Sequence, residues 1–203
     1  MTVWTNGSEL KSDIKQWTLD ESTELADALD SIIAHAEYRI FRQLDIPHFV
    51  ETDTATTTDG DPFLTLPSTS EIVRVRYVKV GDAALEYRPQ NFLAEYWPDR
   101  TQTGAPKYFA RWDEATLLLA PTPDASLSLE MNYTIKPAGI TDVSSTYLSD
   151  NYPELLFAAC LSEAFAYKKD NNLYQAWEQQ YQNRLQAAGA EQQRATSDVF
   201  TMG

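Results

Sequence analysis

One cysteine, two histidines and seven scattered glycines among 203 residues leave few places for chemistry. A lone cysteine, Cys160, excludes an intramolecular disulfide, and its neighbours Leu156, Phe157 and Ala159 predict an inert buried thiol. His35 and His48 have no cysteine or carboxylate at a recognised ligand spacing, so no metal is expected. The loop acids Asp53, Asp59 and Asp61 lack the alternating ligand order and closing glutamate of a calcium loop. No glycine run leads into a lysine and no nucleophile elbow is present, so no phosphate-cradling loop and no cofactor is expected. Positive charge is scarce too. Sixteen basic against thirty acidic residues give a net charge of −14, which opposes a grip on nucleic-acid phosphates. No apolar run approaches the roughly 18 residues of a membrane span, and "MTVWTNGSELKSD" lacks the basic start and apolar stretch of a signal peptide. The sequence therefore predicts no membrane partner and synthesis in the cytoplasm.

What is present is 43% hydrophobic residues in helical and strand patterns. In "SELKSDIKQW", Leu10, Ile14 and Trp17 follow helical spacing behind Ser8 as a candidate cap. Thr18 to Glu21 read as a capping box that opens a second helix, with Leu25, Leu29, Ile32, Ile33, Ala36, Ile40 and Leu44 on its apolar face and Pro47 as its stop. The threonine-rich "ETDTATTTDGD" predicts a linker or exposed loop.

Strands follow in "EIVRVRYVKV", where Val73, Val75 and Tyr77 alternate with a wetter face, and in "PKYFARWD", "ATLLLAP" and "SLSLEMNYTIKP". Together they predict an antiparallel meander of about four strands, with one or two helical turns in "PQNFLAEYWP" between its pairs. Pro137 and Gly139 close this section. In "YPELLFAACLSEAFAYKKD", capped by Asp150 or Asn151 and with Pro153 in its first turn, Leu155, Leu156, Ala159, Cys160, Ala166 and Tyr167 form a buried stripe. Asn171 and Asn172 break the helix, and a further one carries Leu173, Trp177, Tyr181, Leu185 and Ala188. The segment "ATSDVFTMG" lacks periodicity and predicts a mobile tail.

The expected fold class is α+β: a helical bundle from both ends of the chain with an inserted antiparallel β subdomain. The expected boundaries are 1–51 for the first helices, 52–138 for the β subdomain, 139–190 for the last helices and 191–203 for the tail. Tyr87, Phe92, Tyr96 and Trp97 make an aromatic patch at one end of the β subdomain, either core or protein contact. Glu95 stands among them, the one acid placed as a glycosidase carboxylate would be. A carbohydrate-active enzyme built on it is an alternative that no second motif supports.

Three stretches in order carry a resemblance. "ELKSDIKQWTLDESTELADALDSIIAHAEYRI", "GAPKYFARWDEATLLLAPTPDASLSLEMNYTIKP" and residues 152 to 188 with Pro-Glu-Leu-Leu and the aromatic helix after it resemble head-to-tail adaptor (connector, neck or gatekeeper) proteins of tailed phages, most like those of short-tailed phages. The resemblance implies a structural virion protein and not an enzyme. It would form a dodecameric ring under the portal protein, meet a downstream tail or nozzle protein, and let packaged DNA pass through its lumen without specific binding. It implies that Arg194, Val199 and Phe200 reach the portal and that Tyr87, Phe92, Tyr96 and Trp97 face the tail or a neighbouring subunit. Another tail-completion or assembly factor is the alternative within the same class.

Overall fold

The computed structural model describes residues 4–66 and 72–200, the last six by their backbone alone. The described residues hold six α-helices and seven strands, with helices at both ends of the sequence, the expected α+β class. The chain divides into two compact units, residues 1–46 with 137–203, and residues 47–136.

In the helical unit, α1 (Gly7–Thr18) is capped by Asn6, whose side chain accepts from the Glu9 N–H at 3.0 Å, two residues ahead of the expected Ser8. The predicted box from Thr18 to Glu21 does not form. Thr18 is the last residue of α1 and its hydroxyl donates back to the Ile14 carbonyl at 2.8 Å, so α2 (Thr23–Gln43) is capped by Ser22 instead. The apolar face expected for α2 is buried from Leu25 to Ile40. After α2 the chain leaves this unit and returns to it at residue 137.

Thr146 and Ser149 form a reciprocal capping box on the short α4 (Tyr147–Asn151), so Asp150 and Asn151 lie inside a helix rather than capping α5 (Pro153–Tyr167). Helices α1, α2, α4 and α6 all contact α5, which explains why every residue from Leu155 to Ser162 is buried and not merely one stripe. Ala166 and Tyr167, expected on that stripe, are exposed, because the helix emerges there before the turn at Lys168 and Lys169. The final helix α6 (Asn171–Phe200) is continuous to Phe200 instead of giving way to a tail after residue 190. Nothing after Gly189 breaks it: "AEQQRATSDVF" has no proline or glycine.

The second unit is one seven-stranded sheet in the order β1-β7-β3-β4-β5-β6-β2, preceded by a short 3-10 turn, Pro47–Phe49. Its strands are β1 (Val50–Thr56), β2 (Phe63–Thr65), β3 (Ile72–Val80), β4 (Ala83–Tyr87), β5 (Tyr108–Arg111), β6 (Thr116–Ala120) and β7 (Ser128–Ile135). The expected linker at 51–61 is therefore half strand. β1 pairs with β7 along all seven residues, its threonines suit a strand, and the buried Tyr133 hydroxyl donates to Asp53 at 3.2 Å and Glu51 at 3.4 Å. Burial, followed by the two carboxylates, pushes the Tyr133 phenol up to about 12.

Gly81, at a φ of +56°, makes the tight turn from β3 to β4. Two register shifts in β3 change the expected alternation, so Val73 and Tyr77 are exposed while Val78 and Val80 are buried. One departure from the meander is topological. β4 pairs with β5 in parallel, and α3 (Gln90–Tyr96) lies in the crossover between them.

Candidate functional site

The β5–β6 register sorts this part of the sheet into two faces. Phe109, Leu117 and Leu119 join the main core with Leu85, Met131 and Tyr133, whereas Ala110, Leu118 and Ala120 pack under Leu93 of α3. Around the smaller cluster stand Phe92, Trp97 and Tyr108. Phe92 and Tyr96, one helical turn apart, stack at 5.8 Å, and Tyr108 presents its edge to both, at 5.6 and 4.9 Å. The Arg88 guanidinium lies 5.2 Å from the Phe92 centroid and pairs with Glu86 at 2.7 Å. The Trp97 indole N–H donates to the Gln102 carbonyl at 3.0 Å.

Three of the four residues expected in the aromatic patch are thus brought together, and the fourth is not. Tyr87 pairs in register with Phe109 while Glu86 pairs with Tyr108, so Tyr87 lies on the opposite face from Tyr108 and packs its ring on Phe109 at 5.6 Å. The question of core or contact also divides. Phe92 and Trp97 are half-buried packing residues, whereas Tyr96 is 40% and Tyr87 60% exposed. Sequence reasoning missed Tyr108 and Arg88, which only the strand register and the crossover bring to α3.

A second set, Phe63, Trp112 and Arg100, was not singled out either. Phe63 and Trp112 rings lie 5.3 Å apart with the Arg100 guanidinium 4.9 Å from Trp112. At the C-terminus, Arg194 is exposed on α6. Val199 falls within the backbone of that helix and Phe200 is its last residue, but their side chains lie outside the described residues.

Polar clusters in the helical unit serve to hold helices. Arg39 on α2 pairs with Glu163 of α5 at 2.9 Å and with Glu178 of α6, and its guanidinium stacks 4.4 Å from the Tyr181 ring. Glu178 also accepts from the buried Ser162 hydroxyl at 2.8 Å. A cleft of about 430 Å³ is lined by Asp20, Ser22, Glu24, Leu25, Tyr167, Lys168 and Lys169. Its Asp20 carboxylate accepts from the Ser22 N–H at 3.0 Å and pairs with Lys168 at 3.0 Å, and these bonds, those from Ser22 first, hold it down at about 2. Such a group stays ionised at neutral pH and is a poor general acid.

Glu95 is exposed on α3. Among the described residues no group of three or more His, Cys, Asp or Glu side chains could hold a metal ion, and no helix is long and apolar enough to cross a membrane. His35 and His48 are both exposed, and Cys160 is fully buried, its thiol pushed well up by that burial.

No curated protein matches the sequence. The family model of the SU10 adaptor protein matches residues 5–202, nearly the whole chain and both of its units. The chain therefore belongs to the SU10 adaptor protein family, as a phage head-to-tail adaptor with a structural rather than an enzymatic role in the virion.

Proposed function

We propose that copies of this chain form a ring, twelve to a turn, between the portal protein and a downstream tail or nozzle protein of a phage, most like the arrangement in short-tailed phages. The observation that carries this reading is the family match over both units. It is supported by a helical unit whose central helix, α5, is buried at every residue from Leu155 to Ser162, a run given over to packing. The C-terminal part of α6, with Arg194, Val199 and Phe200, is the portal-facing segment. Tyr96, with Phe92 and Trp97 behind it, and Tyr87 on the other sheet face contribute to contacts with the tail or a neighbouring subunit.

The net charge of −14 per copy fits a channel through which packaged DNA slides without adhering, since like charge keeps phosphates off the wall over roughly 10 Å at moderate salt. Phage made without this protein tests the reading. Heads should fill with DNA yet fail to join tails, and added purified protein should restore joining. Normal tail attachment in its absence would contradict the adaptor position.

A further inference from the structure

Two features of the helical unit have no role in the account so far. The first is an exposed apolar anchor. Leu19 ends α1 in the left-handed conformation, φ +50°, with 93% of its surface in water, an unfavourable place for a branched apolar residue. Two residues earlier, Trp17 is 58% exposed and its ring packs 5.5 Å from Trp177 of α6, whose neighbour one turn back, Leu173, is also exposed.

The second feature begins at that leucine. Ala176, Gln180, Asn183, Ala187 and Ala190 continue from it along α6 at alternating spacings of three and four, the period of a helix–helix seam, and all are exposed. This face carries no acid. Between Asn171 and Ala190 the two charged residues are Glu178, engaged with Arg39 and Ser162, and Arg184, which pairs with Glu154 at 3.3 Å and donates to the seam residue Gln180 at 2.9 Å. The outer side of α2 differs, because Glu24, Asp27 and Asp30 are exposed along it.

We propose that this face of α6, anchored by Trp17, Leu19 and Leu173, is where a second copy of the chain docks, a proposal that rests on the ring reading above. The choice of occupant follows from charge. Two copies that each carry −14 repel wherever acids meet, so identical subunits associate best through surface that holds none. Small and amide side chains also let a second helix approach closely while their hydrogen bonds remain satisfiable on either partner. Exposed tryptophan and leucine beside such a seam supply the apolar centre that interfaces use.

The test places charge in the seam without disturbing the fold. Ala176→Glu with Asn183→Glu keeps good helix formers at exposed positions, and Ala176→Gln with Asn183→Gln controls for bulk. Sedimentation of each protein, alone and mixed with its portal, is measured beside its helicity and melting temperature. The glutamate pair should raise the concentration needed for self-association, alone or on the portal, at least about tenfold with melting little changed, and the glutamine pair should assemble like wild type. If the glutamate pair assembles normally, the surface is wrong while the adaptor reading stands. If it assembles normally but particles lose or retain DNA abnormally, the face lines the channel instead and the proposal fails. If wild type binds the portal only as single copies, the second copy is excluded and the ring reading falls with it.

Discussion

The Ile140 backbone N–H donates to the carboxyl of Glu37 at 3.0 Å, fastening the segment that enters the helical unit to the middle of α2. Glu37 is buried, and that burial, with Asp142 adding to it and the Ile140 N–H opposing, pushes its carboxyl up to about 7 from 4.5. A folded-state value above the unfolded one means that the protonated form stabilises. The benefit is complete below about pH 4.5 and is lost as pH rises through about 7. Glu37→Gln, which keeps an acceptor for Ile140, should flatten this dependence and gain up to about 3 kcal/mol at pH 8. Urea midpoints at pH 5 and 8 measure it, and equal gains at both would contradict it.

The same segment is held from its other side. A side chain at Gly7 would bring its Cβ to 2.9 Å from the Ile140 carbonyl oxygen and 3.2 Å from the Thr141 Cα, both backbone atoms unable to swing away. Gly7→Ala should therefore cost about 1–3 kcal/mol, although an alanine in a helix ordinarily helps. A stabilised variant would show that α1 does not approach this segment as described.

Arg39 ties α2, α5 and α6 together. The three side chains of this network are about a quarter exposed, so its worth lies between that of surface and buried pairs. Arg39→Ala leaves Glu163 and Glu178 without their shared cation and should destabilise by about 2 kcal/mol. Adding Glu163→Gln and Glu178→Gln to it should recover part of the loss in thermal melts. No recovery would place the cost in the lost stack on Tyr181 instead.

These three contacts show where the sequence is readable. The apolar face of α2 follows from spacing alone, because a half-buried helix writes its packing at a fixed period, whereas the unbroken burial of α5 exceeds the stripe that spacing predicts and depends on the four helices around it. The tie made by Arg39 is not legible in the sequence, since its partners lie on α5 and α6 and no local rule pairs them. β1 was hidden for another reason. Its polar residues are satisfied by Tyr133 and Asn132 of β7, far along the chain, so the stretch reads as a loop until the register is known. Tyr87 was grouped with Phe92 and Tyr96 on proximity in sequence, and a parallel crossover that spacing does not announce put it on the other face.

That separation is itself testable. Tyr96 and Tyr108 touch edge to face, so alanine substitutions at the two should couple by about 0.5–1 kcal/mol in a double-mutant cycle. Tyr96→Ala and Tyr87→Ala should add within about 0.5 kcal/mol. Strong coupling of Tyr87 to Tyr96 would mean that they share one face.

The most direct test of the adaptor account is the mass of the purified chain by light scattering, alone and after mixing with the portal of its own phage. The account predicts that a species no larger than a few copies alone becomes a complex holding a full ring of subunits once the portal is present. A chain that never joins the portal at near-physiological salt would contradict it.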